Sequence, residues 1–372
     1  MKGAVGFGVF STERTAPRIG FRVGDGILDL ASRGLGEVFA APSLDAFLAL
    51  GRTAWEDALE RIDVLVTAGA DVVLLEEART HLPFTVGDYV DFYSSIEHAT
   101  NLGRLFRPDA EPLLPNWRHL PVGYHGRAGT IVVSGTPIVR PCGQTRTLGE
   151  ETPGFGPSRR LDIELELGFV VGVGSEHGSP VACSAFRDHV FGVALVNDWS
   201  ARDIQAWEYQ PLGPFLGKSF ATSISAWVTP LALLQDRFVP APHQEPAPLP
   251  YLRADGEWAL DVELEVELSG NVISRTNARG LYWAMPQQLA HATVNGASLR
   301  TGDLFASGTI SGPDRGSEGS LIELTWNGAH PIGLGDGSTR TFLEDGDEVV
   351  LRGRAGDVQL GEVRGTVLPA HC

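Results

Sequence analysis

The sequence predicts a mainly β, α+β fold in which a small N-terminal domain precedes a larger β-rich one. Three observations carry that expectation. Leu161 to Leu167 alternates apolar and acidic residues, the pattern of a strand with one buried face. Beyond residues 80–90, short apolar runs are separated by Gly/Pro-rich turns in a chain with 45 glycines and 24 prolines. Residues 43 to about 69 carry helical spacing instead, and 372 residues suffice for one large domain plus a smaller one with a sizeable core.

Taken in order, Ile19–Val23, a Gly24-Asp25-Gly26 turn and Ile27–Leu30 read as a hairpin. Ser43 is placed to cap a helix over residues 44–50, and Trp55, Leu59, Ile62 and Val66 continue at helical intervals. Val72 to Leu75 reads as a short strand. The boundary is expected near residues 80–90, dividing the chain into 1–85 and 86–372. Ser94 and Ser95 can cap a helix running toward Arg107. Residues 121–130 form a Gly-rich loop, 191–196 a strand ending at Asp198, and 240–250, with five prolines, an irregular surface loop. Ser200 is placed to cap a helix through Arg202, Gln205 and Tyr209. Lys218 sits on a tight turn, and Glu323 interrupts an apolar strand at 319–324.

Charge and composition exclude several classes of function. A formal net charge of −17 disfavours electrostatic binding of nucleic acid or an anionic membrane, and suits a chain that holds divalent cations. No stretch approaches eighteen uninterrupted apolar residues, and the start has no secretion-like apolar core, so a soluble, cytoplasmic protein is expected. Cys142, Cys183 and Cys372 form neither a CxxC site nor a paired framework, so structural thiols are expected. Of 29 basic residues only Lys2 and Lys218 are lysines. A compact ammonium suits a tight site better than a guanidinium fork, which singles out Lys218.

The chemistry-bearing residues cluster in the β-rich part. Asp162, Glu164 and Glu166 project from one strand face, where like charges repel unless a cation or strong donors lie among them. A metal site and a solvated edge face are both open on this evidence. His98 falls in the first turn after the serine pair and could be a general base, although a lone histidine is more often structural. Arg202, Gln205 and Tyr209 share one helical stripe whose guanidinium, amide and phenol would wall an anion-binding pocket rather than a core. Ser307–Pro313 is a hydroxyl-rich loop.

Asp-Phe-Tyr-Ser-Ser at 91–95, His-Ala-Thr-Asn at 98–101, Pro-Val-Gly-Tyr-His-Gly-Arg at 121–127 and Glu-Leu-Glu at 164–166 occur in that order. They are followed by Asn-Asp-Trp-Ser-Ala-Arg-Asp-Ile-Gln at 197–205, Pro-Leu-Gly-Pro-Phe-Leu-Gly-Lys-Ser-Phe at 211–220 and Ser-Gly-Thr-Ile-Ser-Gly-Pro at 307–313. This series resembles the fumarylacetoacetase, or fumarylacetoacetate hydrolase, family. Glu-x-Glu with a distal Asp points only to the wider superfamily of acylpyruvases, decarboxylases and dehydratases; the tyrosine and Lys218 segments narrow it.

The resemblance implies an N-terminal SH3-like barrel with a helical extension, a β-roll catalytic domain, a homodimer, and hydrolysis of 4-fumarylacetoacetate to fumarate and acetoacetate in tyrosine and phenylalanine degradation. It implies Ca²⁺ at Asp91, Glu164, Glu166 and Asp198, with Asp162 behind the ligands or solvated. A further Mg²⁺ would lie near Lys218 and Thr222, where Ala221 replaces a usual glycine. His98, oriented by Glu323, would be the base, and Arg202, Gln205 and Lys218 would surround the developing negative charge. Tyr93, Arg107, Tyr124, Tyr209 and Thr309 would position the substrate. Ile96 and Glu97 depart from the Arg-Gln pair of animal members, beside His98 rather than in its role. The alternatives are an acylpyruvate hydrolase and a non-catalytic calcium-binding relative.

Overall fold

A computed structural model describes residues 1–146, 149 and 151–372. The N-terminal part is built on strands β1 (Ala4–Thr12), β2 (Thr15–Val23) and β3 (Gly26–Asp29), with β2 and β3 paired as the expected hairpin. The expected helical stretch is two helices, α1 (Asp45–Leu48) and α2 (Arg52–Thr67). The break is at Gly51, whose φ of +85° suits glycine, and it lets Trp55 Nε1 donate to the terminal carbonyls of Phe47 and Leu48 at 3.2 and 3.1 Å. Ser43 lies one residue before the cap position, which Leu44 takes, but its Oγ still accepts from the first helical N–H, Asp45 N, at 3.2 Å. Of Val72–Leu75 only Val73–Leu74 is strand.

Hydrogen bonding runs from β1 into the rest of the chain. Phe7 and Gly8 pair with Val228 and Trp227, and the Trp227–Pro230 strand pairs in turn with Val190–Asp198. One thirteen-stranded sheet therefore joins the N-terminal strands to those that carry the acidic residues. Phe7, Phe47, Trp55 and Phe191 pack ring against ring beneath the junction, with centroids 5.0–5.7 Å apart. A second layer, the five-stranded sheet of Glu263–Leu268, Asn271–Asn277, Glu348–Ala355, Val358–Leu368 and Ile138–Val139, closes the larger core.

The alternating segment is strand at Leu161–Asp162 and again at Leu165–Val171, interrupted between them. Leu161, Ile163, Leu165 and Leu167 enter the core as the alternation requires, but Asp162, Glu164 and Glu166 are buried as well, which removes the solvated-edge reading. Other expectations need correction. Glu323 lies on a helical turn, Leu321–Leu324, not a strand: the four-residue apolar run was too short to separate the two by period. Ser200 does not cap the Arg202–Glu208 helix, because its hydroxyl donates to Asp198 O and Ala201 takes the cap position. Lys218 sits in a helical turn, Leu216–Ser219, and the 121–130 loop contains a short strand, Gly123–His125.

The thiol expectation also fails for two of the three cysteines. Cys142 and Cys372 form a disulfide, with Cα atoms 6.1 Å apart. Parallel pairing of Ile138 and Val139 with Val367 and Leu368 carries the two segments side by side, a proximity that a separation of 230 residues hides from sequence spacing. Cys183 remains a buried thiol, pushed up to about 11 by burial. Among the described residues no helix is long and apolar enough to cross a membrane.

Candidate metal centre and catalytic cavity

Four neighbouring strands or strand ends bring the acidic residues together. Leu165–Val171 lies between Val190–Asp198 and Leu304–Ala306, and the latter pairs in parallel with Tyr89–Phe92, Ala306 opposite Asp91. Asp91, Glu164, Glu166 and Asp198 thereby offer carboxylate oxygens within 4.8 Å of one another, all buried. Two cations face them. Lys218 Nζ contacts Glu164 and lies 2.8 Å from Asp198, while Arg202 pairs with Glu164 at 2.7 Å. Thr222 Oγ1 and Tyr124 OH donate to the two oxygens of Asp198 at 2.9 and 3.2 Å.

These partners do not balance the site. Four carboxylates meet one ammonium and one guanidinium, and Arg202 is shared with Asp162. Burial, reinforced by the neighbouring carboxylates, holds Asp91 and Glu166 far above the usual carboxylate range, and Asp198 is raised too. Burial pushes Glu164 the same way, but Lys218, Arg202 and His98 outweigh it and keep it ionised. Asp91 Oδ1 and Glu166 Oε1 are buried without a hydrogen-bond partner. Hard oxygen donors, excess negative charge and orphaned acceptors are what a divalent cation would satisfy, so the residues present fit one.

Beside the cluster opens a cavity of about 490 Å³. His98 is on its wall in the first turn of α3 (Ile96–Phe106), capped as expected by Ser95 Oγ, which accepts from His98 N at 3.3 Å. His98 Nδ1 is 2.6 Å from Glu323 Oε2. That carboxylate also accepts from Ser320 Oγ at 2.6 Å, Ser311 Oγ at 3.0 Å and Asn101 Nδ2 at 3.0 Å. Burial alone would raise Glu323, yet His98 and these donors hold it below the ordinary carboxylate range. An ionised Glu323 keeps the proton on Nδ1 and leaves Nε2 as the acceptor. Tyr93 packs edge-on against the imidazole with ring centres 5.2 Å apart.

Of the residues expected at the site, Tyr93, Arg107, Tyr124, Arg202, Gln205, Tyr209, Lys218 and Thr309 line the same cavity, with Asp91, His98 and Glu164. Glu166, Asp198, Thr222 and Glu323 stand one layer behind. Gly308, at φ +75°, turns the hydroxyl-rich loop so that its N–H donates to Glu166 at 3.2 Å and Thr309 faces the cavity. A side chain on Gly308 would run into the Phe92 carbonyl. Of the departing pair, Ile96 packs against the Trp117 cluster, and Glu97 lines a different groove. The serines and asparagine that grip Glu323 escaped sequence reasoning as a set; the hydroxyl-rich loop was the visible signal for Ser311. A wider groove of about 860 Å³ crosses the five-stranded sheet, but its arginines and acids pair with one another, as Arg275 with Glu265 at 2.9 Å and Arg354 with Glu263 at 2.6 Å.

Comparison with known proteins agrees with this geometry. Residues 5–83 match the family model described as Fumarylacetoacetase N-terminal, and residues 89–368 the one described as Fumarylacetoacetate (FAA) hydrolase C-terminal. The chain is 49% identical to the fumarylacetoacetase of Rattus norvegicus and 48% to that of Homo sapiens, each over 98% of this chain and 95% of the relative. A solved fumarylacetoacetate hydrolase from Exiguobacterium antarcticum shares the fold at 17% identity, with a TM-score of 0.58 over 98% of this chain and 99% of that one. Two family models in series and near-half identity along almost the whole length leave one assignment: the chain belongs to the fumarylacetoacetase family.

Proposed function

We infer that this chain hydrolyses a carbon–carbon bond of 4-fumarylacetoacetate, giving fumarate and acetoacetate, as the closing reaction of tyrosine and phenylalanine breakdown. The observation that carries the reading is one cavity faced by both a carboxylate-gripped histidine and a buried four-carboxylate cluster. Asp91, Glu164, Glu166 and Asp198 would hold a divalent cation, Ca²⁺ in this reading, which would supply Lewis acidity toward the substrate's oxygens. Mg²⁺ near Lys218 and Thr222 belongs to the same reading, as do a homodimer and a cytoplasmic setting.

The chain's own groups divide the remaining work. His98 Nε2 takes a proton from water, and the resulting hydroxide adds to the carbonyl next to the fumaryl double bond. Glu323 holds the ring and balances the imidazolium that forms. The bond from that carbonyl carbon to the central methylene then breaks, and its electron pair leaves with the acetoacetate fragment. Arg202, Gln205 and Lys218 face the charge that develops. Burial opposes the charge on Lys218, yet Asp198 and Glu164 hold it as an ammonium, so it can return a proton to the departing carbon. Arg107, Tyr93, Tyr209 and Thr309 present donors to the substrate's carboxylates and oxygens, and Tyr124, whose hydroxyl proton goes to Asp198, lines the same cavity and positions the substrate by contact. Burial keeps Tyr93 and Tyr124 protonated as donors.

Purified protein assayed on fumarylacetoacetate and on acylpyruvates in parallel, with and without chelator, tests the reading. Turnover of the first that chelation abolishes and a divalent cation restores is expected. Preference for acylpyruvates would assign the cavity to another branch of the superfamily, and calcium binding without turnover would make the chain a binding protein.

A further inference from the structure

Asp162 is fully buried beside the metal cluster and is not part of it. Its Oδ1 accepts from Ile163 N at 2.8 Å and Leu321 N at 2.7 Å; its Oδ2 accepts from Arg202 Nε at 2.8 Å and Ile322 N at 3.2 Å. One carboxylate thus spans two elements far apart in sequence. On one side is the guanidinium that reaches onward to Glu164 and Gln205. On the other is the start of the Leu321–Leu324 turn, whose next residue is Glu323.

We propose that Asp162 is a positioning residue: it ties the anion-facing Arg202 and the base-orienting Glu323 into one rigid frame. A buried ion pair contributes little net stability beside an apolar pair of the same size, so stability alone is a poor reason to place it here. Geometry is a better one. Arg202 can turn about its long side chain; Nε donates to Asp162 and Nη1 to Gln205 Oε1, two bonds that set the plane of the fork, while Nη2 lies 2.7 Å from Glu164 as an ion pair without a hydrogen bond of its own. The backbone N–H groups of Leu321 and Ile322 are unsatisfied donors of a first helical turn, and the same carboxylate takes both. A shift of Asp162 would therefore move the group that stabilises charge and the group that orients the base together. An asparagine of the same shape cannot substitute, because whichever way its amide is turned an N–H₂ meets donors.

The inference rests on the hydrolase reading for the roles of Arg202 and Glu323, and two measurements separate their failures. Asp162→Asn should lower kcat on fumarylacetoacetate by about 10²-fold while KM changes by less than about threefold, the pattern of an interaction realised in the transition state. Asp162→Glu, which keeps the charge, should recover part of the loss. Combined with Arg202→Gln, the loss should be clearly smaller than the product of the two single losses. Unchanged kcat in Asp162→Asn, or fully multiplicative losses, would overturn the proposal. The second measurement needs neither substrate nor variant: the Arg202 Nε–H should give a slowly exchanging signal in the arginine side-chain NMR spectrum of the wild type. Rapid exchange there sinks the frame, whereas slow exchange in a protein that does not turn over fumarylacetoacetate supports the frame and refutes the hydrolase reading.

Discussion

His98 and Glu323 are 225 positions apart and meet at 2.6 Å, so the chemistry of the imidazole depends on a partner that no local pattern supplies. Replacing His98 by Ala is expected to lower kcat by about 10²–10⁴-fold, the usual worth of a positioned general base, with substrate binding much less affected. Glu323→Gln should also impair turnover, because a neutral amide accepts less strongly from Nδ1 and does not balance the imidazolium; steady-state kinetics on both variants checks this, and full activity in either would remove it from the mechanism. Alternation made Asp162, Glu164 and Glu166 legible as carboxylates on one strand face, since they repeat every second residue, but it did not separate a metal site from a solvated face or pick out Glu164 and Glu166. Their completion by Asp91 and Asp198, and the pairing of His98 with Glu323, came from resemblance to a family, because contacts across strands leave no spacing to read. Asp162 was under-read for the same reason: three of its four partners are backbone N–H groups, of Ile163, Leu321 and Ile322, which carry no side-chain signature, and the fourth, Arg202, is 40 positions away.

The elements that hold these groups are short, and their ends do the positioning. Ser95 both caps α3 and donates to the Ser311 carbonyl at 3.2 Å, linking the turn that carries His98 to the loop whose Ser311 hydroxyl grips Glu323. Ser95→Ala should destabilise the fold by about 1 kcal/mol, the ordinary worth of an N-cap, measurable by denaturant unfolding. Activity should fall further than that loss explains, because His98 sits in the uncapped turn; an effect on stability alone would show that the turn holds without its cap. The cap was readable because serine before an apolar period is a chemical signal. The α1–α2 break was less so, since the apolar spacing runs through Gly51 and the decisive contact is the Trp55 indole turned back on α1. Helical turns of four residues, such as those carrying Lys218 and Glu323, are shorter than one period of the pattern that would announce them.

On the scale of the whole molecule, the cation expected at the cluster competes with protons. Asp91 and Glu166 are raised far above the usual carboxylate range, so in the metal-free protein they bind protons at pH values where ordinary carboxylates are ionised. Those protons must leave for both groups to ligate a cation. Affinity for Ca²⁺ should therefore weaken as pH falls through the raised values, and binding in weak buffer should release protons; calorimetric titration at several pH values checks both, and a pH-independent affinity would place the cation elsewhere. The mainly β architecture was legible in turn chemistry and strand-length apolar runs. What the sequence did not disclose is that β1 hydrogen-bonds directly to the Trp227–Pro230 strand, since nothing in a strand names its neighbour. That seam makes the first strand a cover as well as a foundation. Cutting the chain to residues 86–372 would leave the Trp227–Pro230 strand with an unpaired edge and bare the Phe191 ring, a ready template for another copy to add its own strand. The shortened protein is expected in the insoluble fraction on expression, and a soluble, active fragment would refute it. A truncation meant to isolate the catalytic half would thus yield an aggregation-prone sheet rather than a smaller enzyme.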